Sequence, residues 1–127
     1  MKGPRPVIGQ LNYLLAAKLA RINQFFLHAR MLENWGMGKI GETIFHFSVH
    51  EMKDTDKITK RLLFLEGLPN LQKIDPLKIG QNIEEILKLD LHSTSEIIPD
   101  SKKAISICEH EKDYITRDML QEILHHE

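Results

Sequence analysis

No apolar run in this sequence approaches the length needed to cross a bilayer, which argues against a transmembrane role. No charged segment followed by an apolar stretch opens the chain, and its one cysteine, Cys108, cannot form an internal disulfide. Both features favour a reducing cytoplasm. Aromatic residues make up only 6% of the chain, and 17 basic against 18 acidic residues leave a formal net charge of −1. That excludes a base-stacking platform and a polyanion-binding surface, so nucleic acid is not an expected partner. Strand alternation, internal repeats and low-complexity tracts are missing as well. With 127 residues the chain has room for one four-helix core and not for two, so residues 1–127 are expected to form a single domain.

Four periodic segments remain between glycine and proline punctuation, roughly 6–34, 38–65, 82–110 and 113–127, and each reads as helix. "NWGMG" (Asn34 to Gly38) is a short break that folds the second helix back on the first. "EGLPNLQKIDPLKIG" (Glu66 to Gly80) carries two prolines and is long enough to cross a bundle end to end, which makes helices two and three parallel. The third break, near His110 to Asp113, allows only an antiparallel hairpin. Short, long and short connections are the pattern of an all-α, ferritin-like four-helix bundle with one crossover.

On the second helix Ile40, Ile44, Phe47, Ile58, Leu62 and Leu65 form one stripe, and Glu51 and Asp54 fill the two missing places in it. The first helix shows the same anomaly: Leu11, Leu15, Ile22, Phe25, Ala29 and Leu32 step by fours and threes, with Lys18 in the gap. Leu120, Ile123 and Glu127 share a face on the fourth, and Thr94 falls between Leu87 and Ile97 or Ile98 on the third. Each helix thus offers the core a polar residue near mid-height. A ring of inward carboxylates with Glu-x-x-His spacing holds two metal ions in such bundles, but here the motif reads Glu51-x-x-Asp54 and the first helix supplies a cation. An unpaired buried charge costs several kcal/mol, so Lys18 is expected to meet Glu51, Asp54 or Glu127 and to stand where a metal ion would otherwise neutralise them. The alternative is that Glu51 and Asp54 are solvated residues at the edge of the stripe.

A second apolar face of helix two carries Phe45, Val49, Met52, Thr59 and Leu63, and Leu19 and Phe26 extend a comparable stripe on helix one. Two apolar faces per helix predict a symmetric homodimer through the first two helices. Met52 reads as interface packing there; a thioether is also a soft ligand for haem iron, and a twofold axis would bring two copies together. A third face bears His46, His50, Lys53 and Lys57. Imidazoles four residues apart can share a metal ion, though solvated surface is the commoner outcome.

The chain resembles the bacterioferritins along its whole length, in "LNYLLAAKLARINQFFLHARMLENWG" (Leu11 to Gly36), "LFLEGLPNLQ" (Leu63 to Gln72) and "DYITRDMLQEIL" (Asp113 to Leu124). The resemblance implies a subunit of a hollow cage of twenty-four chains that stores ferric iron, with haem b held between two subunits by a methionine from each. It puts Met52 at the haem ligand position, among Leu19, Ile22, Asn23, Phe26, Phe45 and Val49, with Phe45 where the family often has tyrosine. It also places Glu51 and Glu127 on ferroxidase ligands, whereas Lys18 and Thr94 stand where the family has glutamates and Asp54 where it has histidine. The sixth ligand would lie beyond Glu127. His46 and, less closely, His50 correspond to an iron site on the inner wall of the cage, and Asn34 and Glu66 to a channel for iron between subunits.

A centre with so few ligands and an added positive charge is expected to oxidise Fe(II) poorly or not at all. The fourth helix, about fifteen residues against roughly twenty-eight in its neighbours, reads as truncated. These departures imply a division of labour in which this chain supplies haem sites and channels while a full-length bacterioferritin subunit in a mixed cage oxidises iron. Two alternatives stay open: an active ferroxidase in which Glu51, Asp54 and Glu127 hold an altered di-iron or mononuclear site, and a haem-bridged dimer without iron storage.

Overall fold

A computed structural model describes residues 2–126 as four helices: α1 (Arg5–Asn34), α2 (Gly38–Phe64), α3 (Ile83–His110) and α4 (Tyr114–His125). The periodic segments predict these to within two residues at every described end. Glu127, expected in α4, lies outside the described residues. Among the described residues there is no strand, and no helix is long and apolar enough to cross a membrane.

Local chemistry sets the ends. Asn82 caps α3 by accepting from the Glu85 N–H, and its own amide donates to the Glu85 carboxylate. Asp113 caps α4, accepting from the N–H of Thr116 at 3.0 Å and from its hydroxyl at 2.6 Å. The first three helices stop in one motif, in which the second residue past the cap donates back across the last turn: Met37 to Leu32, Gly67 to Leu62 and Asp113 to Cys108. That motif needs a left-handed residue, and only Gly36 (φ 84°) is a glycine; Glu66 (φ 61°) and Lys112 (φ 60°) take the conformation at a steric cost.

The crossover from 66 to 82 runs the length of α1. Leu68 and Asn70 bond to the Asn12 side chain, the Asp75 N–H donates to the Ala16 carbonyl, the Lys78 N–H to Gln24 Oε1, and the Gly80 N–H to His28 Nε2. Sixteen residues of α1 separate the first anchor from the last, roughly 24 Å of helix. The chain therefore enters α3 at the end where α2 began, and the two helices run parallel.

Packing divides the bundle into two halves. Around the start of α1 all four helices contribute to one apolar cluster, with Leu11, Leu15, Ile58, Leu62, Ile97, Ala104, Leu120 and Ile123 among its members. Cys108 belongs to it, and burial, with help from Asp113 and against Arg61, pushes its thiol up to about 11. Around the other end of α1 only three helices meet, through Phe25, Ala29, Leu32, Ile44 and Ile86.

Three expected core positions fall outside it. Ile40, Phe47 and Leu87 are exposed, and Ile22 is only half-buried. On α2 the inward places belong instead to Gly41 and Ser48, because α1 and α2 approach too closely for larger groups. A Cβ on Gly41 would lie 2.9 Å from the Ala29 carbonyl oxygen, and the Ser48 hydroxyl donates to the Ile22 carbonyl. Phe47 and Leu87 border the half whose apolar cluster, among the described residues, takes members from α1, α2 and α3 and not from α4.

Candidate metal centre

A charged layer separates the two apolar clusters. It begins with spacing: Lys18 and Arg21 stand three residues apart on α1, Glu51 and Asp54 three apart on α2, so each pair shares a helix face. The tight α1–α2 contact presses these faces together. Lys18 is 1% exposed and Glu51 and Asp54 2% each, so water cannot screen them. The Lys18 Nζ lies 2.9 Å from Glu51 Oε2 and 3.2 Å from Asp54 Oδ2. Arg21 Nη2 lies 2.9 Å from Glu51 Oε1 and 3.4 Å from the Thr94 hydroxyl of α3.

Two cations thus face two carboxylates. Desolvating any one of them alone would cost several kcal/mol, whereas charge-assisted contacts at these distances offset that cost. The solvated-edge reading of Glu51 and Asp54 is excluded by their burial. Sequence periodicity pointed to Lys18 but passed over Arg21, although its signal was there: it lies three residues after Lys18 and four before the buried Phe25.

The ammonium and guanidinium fill the space between oxygens that a bound cation would share. Among the described residues no three carboxylate, imidazole or thiolate groups converge on a preformed metal position. The described residues do not fit a di-iron centre. The two surface histidines of α2 part company: His46 leans toward Glu42 and the Phe45 ring, while His50 turns toward Asp54 and toward His126 at the end of α4. A cavity of about 140 Å³ opens beside them, lined by Phe25, Phe47, Glu51 and Thr94 among others.

One turn further along α1, a second polar network accompanies the first. The Gly80 N–H donates to His28 Nε2, which leaves Nδ1 as the protonated nitrogen facing Asp90 Oδ1 at 2.8 Å; Gln24 donates to the same oxygen at 3.0 Å. His28, Gln24 and Asp90 were not singled out in the sequence, since each looks like an ordinary polar helix residue until the crossover is laid against it.

The other expected residues lie on the outer α1–α2 face. Met52 is 54% exposed and Phe26 47%, Asn23 is exposed, and Leu19, Ile22, Phe45 and Val49 are half-buried around them. The Phe26 and Phe45 rings meet at 6.4 Å, and the Arg30 guanidinium covers both. Asn34 and Glu66 are exposed at the ends of α1 and α2.

Comparison with known proteins agrees with this architecture. Residues 8–127 match the family described as Ferritin-like domain. A bacterial ferritin of Synechocystis sp. is 40% identical over 98% of this chain and 80% of its own length. Bacterioferritins of Brucella melitensis and Rhodobacter capsulatus are 38% and 37% identical, again over 98% of this chain and 77% of theirs. The chain therefore belongs to the ferritin-like family, as a bacterioferritin-type protein.

Proposed function

We propose that this chain is an iron-storage subunit of the bacterioferritin type whose internal ferroxidase centre is closed by its own cations. The carrying observation is Lys18 Nζ at 2.9 and 3.2 Å from the two carboxylates that would otherwise hold iron, with Arg21 on the first of them. Iron is the cargo of the assembly, and its oxidation falls to a bacterioferritin subunit with an intact centre in a mixed cage. This chain contributes the assembly surface, the exposed Asn34 and Glu66 at the channel position, and the haem face.

The outer α1–α2 face suits haem b. An exposed thioether ringed by apolar side chains on two helices is what a porphyrin with a soft axial ligand requires, and a homodimer through this face would supply the second methionine. Met52 would hold the iron, with Leu19, Ile22, Phe26, Phe45 and Val49 against the ring and Asn23 at its edge. Bound there, haem supplies a one-electron centre near the cage wall.

Stopped-flow oxidation of Fe(II) tests the closed centre. The isolated chain should lack a rapid phase stoichiometric with protein, and such a phase would overturn the reading. Lys18→Glu alone should not restore it, because Arg21 still occupies Glu51. Met52→Leu should remove the haem absorption band and leave the dimer intact in solution; a retained band would place the ligand elsewhere.

A further inference from the structure

One stretch of the bundle is held to α1 mainly by polar contacts. Along the crossover Leu68, Leu71, Ile74 and Leu77 are all exposed, and Ile79 is only half-buried. The first half of α3 continues the pattern: Leu87 and Leu91 are exposed, and between residues 83 and 95 Ile86 is the one buried apolar side chain. Hydrogen bonds hold the stretch instead. Gln24 takes the Lys78 N–H and gives to Asp90, His28 takes the Gly80 N–H and faces Asp90, and Arg21 Nη2 lies 3.4 Å from the Thr94 hydroxyl.

The stretch ends at a weak point. Pro99 lies inside α3, where a proline has no N–H for the carbonyl of Ser95 and its ring crowds that carbonyl. Beyond it Ala104 and Cys108 are buried in the four-helix cluster, and Ile97 marks the near edge of that cluster. We propose that residues 67–95 form a hinged flap, pivoting at Pro99 and latched to α1 by His28, that opens as a unit while the rest of the bundle stays folded. The flap is independent of the reading of the iron chemistry.

One buried side chain makes the latch. His28, 0% exposed, meets the crossover through Nε2, 3.0 Å from the Gly80 nitrogen, and meets α3 through Nδ1, 2.8 Å from Asp90 Oδ1. Water can replace polar partners of this kind, and little apolar area is exposed when they part, so the opening is far less costly than global unfolding. A cavity of about 90 Å³ already lies under the flap, between Ala17 and Ala20 of α1, Pro76 of the crossover and Ser93 of α3. Opening takes Thr94 away from Arg21 and lets water and small cations reach the charged layer.

Amide hydrogen exchange of the full chain, followed residue by residue in low urea, tests the flap. Helical amides of residues 83–95 should share one opening equilibrium, at least about tenfold more populated than the one that exposes residues 101–110. His28→Ala should speed exchange in 83–95 by at least about tenfold, since it strands the Gly80 N–H and takes a partner from Asp90. Pro99→Ala should slow it by a similar factor, because alanine restores the bond to Ser95. Ile123→Val in α4 separates the flap from general loosening: it should speed exchange in 101–110 by roughly threefold to tenfold and leave 83–95 unchanged. The unsubstituted pattern and Pro99→Ala require no weakened protein. Exchange in step along the whole of α3, no response of 83–95 to His28→Ala or to Pro99→Ala, or equal acceleration of both stretches by Ile123→Val would overturn the proposal.

Discussion

The half of the bundle around the start of α1 and the half around its end are built from the same three long helices, yet they are held differently. In the first, four helices enclose an apolar cluster of Leu, Ile and Val side chains, closed by Ala104 and Cys108 on α3 and by Leu120 and Ile123 on α4. In the second, three helices enclose a few apolar residues, bordered by Lys18, Arg21, Glu51 and Asp54 on one side and by the His28, Gln24 and Asp90 network on another. Burial of apolar area stabilises the first half without regard to partner. The second depends on specific pairings, so removing one member leaves a stranded charge.

The largest expected effect follows from that difference. Lys18→Met should cost about 3–5 kcal/mol, since it strands Glu51 and Asp54 in the interior. Leu15→Ala, in the apolar half, should cost a comparable 2–5 kcal/mol through its cavity. The two are separated by a second substitution: Glu51→Gln should recover part of the Lys18→Met loss, by about 1–3 kcal/mol of coupling, and recover nothing of Leu15→Ala. Urea midpoints of the three single variants and the two doubles measure this. If Lys18→Met proves as mild as an exposed change, the contrast between the halves fails.

A smaller effect tests how the fourth wall is attached. Burial pushes the Asp113 carboxyl up, but the Thr116 hydroxyl and N–H and the Arg61 guanidinium outweigh it and hold the group below its ordinary range. Its folded-state value is lower than its unfolded one, so the stabilisation it brings is complete above the ordinary carboxylate range near about 4 and is lost as the pH falls through the lower folded value. Asp113→Asn should cost about 1 kcal/mol near neutrality and flatten the acid limb of a Tm-against-pH curve.

The smallest change sharpens the comparison from the strong side. Lys112 sits in the left-handed region at the turn into α4, and Lys112→Gly should raise stability by about 0.5–1 kcal/mol in urea unfolding. A loss of stability there would show that the Lys112 side chain contributes more than its backbone strain costs.

Much of this molecule was legible from spacing alone. Apolar steps of three and four placed the four helices, the proline-bearing connection announced the parallel crossover, and Lys18, Glu51 and Asp54 stood out as polar residues inside apolar stripes. Periodicity failed where a neighbour was needed to judge a face. Ile40, Phe47 and Leu87 fit their stripes and are exposed, in the half whose apolar cluster takes no described residue from α4; Gly41 and Ser48 look unsuited to a core and are buried, because α1 lies too close for anything larger.

Helix positions, connection lengths and the polar gaps in the stripes were settled by the sequence itself, since they rest on local geometry that repeats along one chain. Tertiary structure alone decided which charges met: that Lys18 bridges Glu51 and Asp54, that Arg21 joins them, that His50 turns to His126 rather than to His46, and that the crossover rests on Gln24 and His28. The reason is physical. A helix period states that a side chain points inward, but a buried charge or imidazole takes its role from groups tens of residues away, at distances that only packing sets.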